Sequence, residues 1–181
     1  MSKIVLIITL VLLVCIIFMY NRGISLKNFV KEAFATMDVY LKKRWDLVPN
    51  LVECVKGYSI HEKDVLEKVT NLRNMNYSNL TNEQKMETNI NLKMGLSKLI
   101  AIAENYPDLK ANESFNNLMK QLSDIENDIA SSRKYYNATV RELNNFTQMF
   151  PSNIICSVFG IKEEKMFEID ETSKGNVKVE L

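Results

Sequence analysis

Two hydrophobic patterns organise this chain. The first is an unbroken run, Ile4 to Tyr20, "IVLIITLVLLVCIIFMY", 17 residues without a charge. The second is periodic. Leu26, Val30, Phe34, Met37, Leu41, Trp45, Val48, Val52 and Val55 recur in steps of three or four, as one buried face of a helix does. The face stays in phase across Pro49. We therefore read residues 24–57 as one helix kinked at Pro49, where an N–H is missing and the ring crowds the Trp45 carbonyl. The alternative is a break after Arg44, with Asp46 as N-cap and Pro49 in the first turn of a new helix. Gly57 supplies the stop.

Three more helices follow. Ser59-Ile60-His61-Glu62 fits a capping box, and Val65, Leu66, Val69 and Leu72 give the second helix its apolar face. The polar connection "NMNYSNL" leads to a second capping box, Thr81-Asn82-Glu83-Gln84. Leu92, Leu96, Leu99, Ala103 and Tyr106 form the third face, ended by Pro107. Asn112 is the expected N-cap of the fourth helix, whose stripe runs Phe115, Leu118, Leu122, Ile125, Ile129, Tyr136, Leu143, Phe146 and Phe150 up to Pro151, with Ser132 and Thr139 filling two gaps. Two long and two shorter helices with short connections predict an all-α fold: an N-terminal transmembrane helix followed by an antiparallel four-helix bundle. The expected boundaries are an anchor at 1–22, a bundle at 23–150, and an apolar segment with a polar tail at 151–181.

The charge-free run spans about 25 Å as a helix, near the lower limit for crossing a bilayer. Ile4, Leu6, Leu10, Leu13 and Ile17 would face lipid, and Tyr20 suits the interface. "FMYNRG" offers no small-residue cleavage site, and Cys15 lies inside the run behind Val14, so a cleaved leader or a lipoprotein fits less well than an uncleaved anchor. Arg22, Lys27 and Lys31 follow the run against Lys3 before it, which places the body in the cytoplasm. Five Asn-x-Ser/Thr sequons would need no glycan there. Four helices of alternating direction return the chain to the membrane at residue 150. There Ile154, Ile155, Val158, Phe159 and Ile161 form an apolar cluster. It either caps the bundle's open end or meets lipid or a partner at the interface.

Composition removes other classes. Lys+Arg 23 against Asp+Glu 22 leaves no global field for nucleic acid. Cys15, Cys54 and Cys156 are odd in number, far apart and form no CxxC, as expected of reduced thiols. One histidine, His61, cannot build a usual zinc site, and the Glu-x-x-His pairs of a di-iron bundle are missing. No GxxxxGK[ST], GxGxxG or GxSxG occurs. Cys54 and His61 are an unconvincing nucleophile and base, with Gly57 between them. Asp124, Glu126 and Asp128 read as solvated carboxylates, and Lys42-Lys43-Arg44 as a solvated basic face. No cofactor, metal or small-molecule substrate is expected.

The segments "YNRGISLKNFVKEAFATMDVYLKKRWDLVPNLVECVKGYSIHEK", "AIAENYPDLKANESF", "IENDIASSRKYYNATVRELNNF" and "FPSNIICSVFG" occur in this order over residues 20–160. In them the chain resembles the LemA family of bacterial membrane proteins. The resemblance implies one N-terminal membrane helix, a short extracytoplasmic N-terminus and a cytoplasmic antiparallel helical bundle. It implies no catalytic residue set. The function expected is therefore a non-enzymatic, membrane-anchored scaffold or protein-interaction module. Its expected partners are membrane lipid and either a protein or a second copy. The alternative is a membrane-shaping protein that inserts residues 150–167 in one leaflet.

Overall fold

The computed structural model describes residues 2–58 and 76–167. The second expected helix with its capping box, His61, and the polar tail lie outside them. Every regular element among the described residues is helical. Helix α1 runs Ser2–Lys56, α2 Asn82–Ala103, α3 Pro107–Lys110, α4 Glu113–Gln148 and α5 Ser152–Phe159, with a 3-10 turn at Tyr77–Asn79.

The anchor and the first amphipathic helix are one element. No residue between Tyr20 and Leu26 interrupts α1, which also continues through Pro49 rather than restarting behind Asp46. It ends at Lys56, where the Gly57 and Tyr58 amides donate to the Glu53 and Val55 carbonyls. The α2 cap forms as its sequence dictates. The Thr81 hydroxyl accepts from the Gln84 amide and the Gln84 side chain accepts from the Thr81 amide. Asn112 caps α4, accepting from the Phe115 amide at 3.0 Å.

Contacts divide the chain into two compact units. One combines the residues up to Met37 with Ser132–Phe167; the other includes Asp38–Ser131. In the first unit Leu26, Val30, Ala33, Phe34 and Met37 of α1 are buried, as are Tyr136, Val140 and Leu143 of α4 and Cys156, Ile161 and Phe167 beyond it. The rings of Phe34 and Tyr136 meet edge to face at 5.6 Å. In the second unit the buried positions of α1 are Leu41, Trp45, Leu47, Val48, Leu51, Val52 and Val55. They are joined by Leu92, Leu96, Leu99 and Ala103 of α2 and by Phe115, Leu122 and Ile129 of α4.

Two expectations fail locally. The 74–80 connection is not wholly polar in role, because Tyr77 is buried and its ring packs, tilted, 5.4 Å from that of Trp45. The stripe of α4 does not reach Phe150: that helix stops at Gln148 and Phe150 is 79% exposed. The signal for the stripe was spacing alone, and spacing loses its meaning once the helix has ended.

Candidate functional site

Two groupings of side chains stand out, one in each unit. In the first unit the segment after α4 folds into α5 and then a strap. The Phe150–Pro151 peptide is cis. The Ser152 hydroxyl lies 2.6 Å from the Phe146 carbonyl oxygen and 2.8 Å from that of Met149, sharing its proton between two acceptors at the end of α4. Gly160 ends α5 in the left-handed region at φ 69°, and the Ile161 amide donates back to the Cys156 carbonyl at 2.9 Å. This is the turn that glycine adopts without strain. It drops Ile161 onto Gly23 of α1. A Cβ at Gly23 would stand 2.7 Å from Ile161 Cδ1 and 3.2 Å from Phe146 Cε1, so the ends of both side chains would have to shift to admit one.

From Ile161 to Phe167 the chain has no regular structure and is pinned along α4. The Asn144 side chain donates to the Glu164 carbonyl and accepts from its amide, at 2.9 and 3.0 Å. Asn137 does the same with Phe167, at 3.0 and 2.8 Å. The Tyr136 hydroxyl donates to the Lys165 carbonyl, and Arg133 lies over the Phe167 ring. Each asparagine thus serves one residue's backbone as a neighbouring strand would.

The expected cluster splits between two surroundings. Ile161 is buried and Ile155 partly so, whereas Ile154, Val158 and Phe159 are exposed, Val158 to 73%. Cys156 lies beneath, and burial pushes its thiol up from the ordinary value. Phe159 packs against Tyr20 with the rings tilted at 54° and their centroids 4.8 Å apart. Ile4, Leu6, Leu10, Leu13 and Ile17 are all exposed. Among the described residues α1 is the one helix long and apolar enough to cross a membrane, and none of that window is buried.

In the second unit the basic triplet is not a solvated face. Lys43 is exposed, but Arg44 is 3% exposed. Its guanidinium donates to Glu126 at 2.6 Å and to the Asn89 backbone and side-chain oxygens at 2.8 and 2.9 Å. This corrects the reading of Glu126 as solvated too; Asp124 and Asp128 are exposed. Asn89 donates to the Lys85 carbonyl. Lys85 pairs with Asp38 at 2.6 Å, and Asp38 accepts from the Tyr77 hydroxyl at 2.7 Å. Burial first, and the Asp38 carboxylate second, hold the Tyr77 phenol well above its ordinary value. The grouping therefore uses its charges on one another: Arg44 ties α1 to α2 and α4. Among the described residues no three His, Cys, Asp or Glu side chains gather to hold a metal.

Sequence reasoning missed Gly23, Gly160 and the two asparagines. A glycine directly after "IICSVF", and asparagines seven apart on one helix, were the available signals.

These features define a class: a protein helical throughout its regular elements among the described residues, with one N-terminal helix apolar and long enough to cross a membrane. A model of the LemA family matches residues 33–181, and the chain belongs to that family. It is 22% identical over 156 residues to "Protein LemA" of Metamycoplasma hominis, covering 83% of this chain and 69% of that one. It is also 31% identical over 72 residues to "Magnetosome protein MamQ" of Magnetospirillum gryphiswaldense, covering 40% of this chain and 26% of that one. "Magnetosome protein MamQ 2" of Paramagnetospirillum magneticum matches at 29% over 73 residues, 40% of this chain and 27% of that one. The chain thus spans about a quarter of the length of these magnetosome relatives.

Proposed function

We propose that this chain is a non-enzymatic, membrane-anchored helical scaffold or protein-interaction module, held at the cytoplasmic face of a bacterial membrane. The observation that carries the reading is the exposed apolar window of α1, which runs without a helix break into a packed helical body. Apolar surface of that extent is costly in water and is satisfied by hydrocarbon. Arg22, Lys27 and Lys31 after the apolar run favour the cytoplasmic side for the body.

The body is proposed to be an antiparallel four-helix bundle. Pairings within the units support it: Gly23 meets Phe146 and Phe34 meets Tyr136, so rising numbers on α1 face falling numbers on α4. Asp38 meets Lys85 and Arg44 meets Asn89, so α1 and α2 rise together, as first and third helices of such a bundle do. The polar core supports a structural rather than a chemical role, because its charged groups pair with one another, Arg44 with Glu126 and Lys85 with Asp38, while the buried Arg44 Nε is left without a partner among the described residues.

In-cell photo-crosslinking tests the reading, with the crosslinker placed at exposed Lys43 and Lys110. The expected result is a captured protein or a homodimer at one position at least. Monomer alone at both positions contradicts the module.

A further inference from the structure

We infer that the outward face of α5 is a second lipid contact, seated at the headgroup and upper acyl level of the leaflet from which α1 emerges. The inference rests on α1 spanning a bilayer. Four observations lead to it. First, α5 has two faces. Ser152 and Cys156 point into the unit, whereas Ile154, Val158 and Phe159 are exposed, with Met149 and Phe150 exposed just before them. A segment that only capped a bundle end would bury that second set.

Second, the face adjoins the anchor. The tilted ring contact of Phe159 with Tyr20 sets it beside the last residue of the charge-free run. Third, the run is short. About 25 Å of helix must serve a hydrocarbon core of about 30 Å, so Tyr20 is drawn toward the hydrocarbon boundary and Phe159 with it. Fourth, Arg22 and Lys162 are both exposed, the one two residues after Tyr20 and the other next after the Ile161 that sits on Gly23, where headgroup phosphates would meet them. The turn at Gly160 and the Asn144 bonds to Glu164 hold α5 in place beforehand, so binding need not fold it.

The test uses the full chain in vesicles of phosphatidylethanolamine and phosphatidylglycerol. Cys15, Cys54 and Cys156 are replaced by alanine, and one nitroxide is attached at a time through Val158→Cys, Ile154→Cys, Leu10→Cys or Asn116→Cys. Unchanged circular-dichroism melts qualify each variant. Accessibility to oxygen is compared with accessibility to a water-soluble nickel chelate. Leu10 reports whether α1 spans, and exposed Asn116 reports water. At Val158 and Ile154 the oxygen-to-nickel ratio is expected to exceed that at Asn116 several-fold. Water-like ratios there, with Leu10 in lipid, overturn the lipid contact alone. Exclusion of both reagents also overturns it, since a second protein surface then covers α5. A water-like Leu10 overturns the spanning reading and this inference together.

Discussion

Arg44 carries its charge into the interior because three acceptors meet it there, from Asn89 and Glu126. Removing it takes the donor from the buried Asn89 side-chain oxygen and the ion-pair partner from Glu126. Arg44→Ala is expected to cost about 3 kcal/mol in a denaturant titration, since breaking a buried charge pair leaves uncompensated polar groups. Exposed Lys43→Ala should stay within about 0.5 kcal/mol. Equal effects would show that Arg44 is as solvated as its neighbour. Tyr77 is a parallel case. With its phenol held neutral it donates to Asp38, and Tyr77→Phe should cost about 1.5 kcal/mol in the same titration; an unchanged midpoint would contradict that bond. The buried apolar positions of α1 could be read from spacing because a helix face needs only its own residues to declare itself. The polar partners could not. Arg44 stands seven after Met37 and four before Val48, in phase with the buried face, but Asn89 and Glu126 lie 45 and 82 residues from it, and nothing local names them as its partners.

At the scale of elements, the strap and α4 match by length. Asn137 and Asn144 are separated by about 10.5 Å of helix rise, and Glu164 and Phe167 by about 10 Å of extended chain. Two asparagines can therefore each serve one strap residue. Asn137→Ala with Asn144→Ala should weaken the strap by about 2 kcal/mol, roughly half of four ordinary hydrogen bonds because part of the site is open to water. Amide exchange at Glu164 and Phe167 should then quicken about 30-fold, the factor that free energy implies, while α4 interior amides stay unchanged. Unaltered exchange would mean that buried Ile161 and Phe167 hold the strap without the asparagines. The caps at Thr81 and Asn112 and the stop at Gly57 were legible in advance, since each satisfies free backbone groups with residues next to it in sequence. The division of 150–167 into an inward and an outward face was not. It depends on where Gly160 turns the chain and on Gly23 opening a seat on α1.

For the whole molecule, the uninterrupted helix from Ser2 to Lys56 matters most. The sequence suggested an anchor at 1–22 and a first bundle helix at 24–57. Yet "NRGI" contains no proline and no capping pattern strong enough to end a helix, and its glycine is occupied in packing against Ile161. The LemA family match begins at residue 33, within α1 and beyond its apolar run. The central claim is thus a body tethered by one span, with its mass on the cytoplasmic side. Paired reporters fused after Leu181 test it most directly: alkaline phosphatase, active only outside the cytoplasm, and a fluorescent protein that matures inside it. The account predicts bright fluorescence and inactive phosphatase in the membrane fraction. Active phosphatase with a dark fluorescent fusion would contradict it.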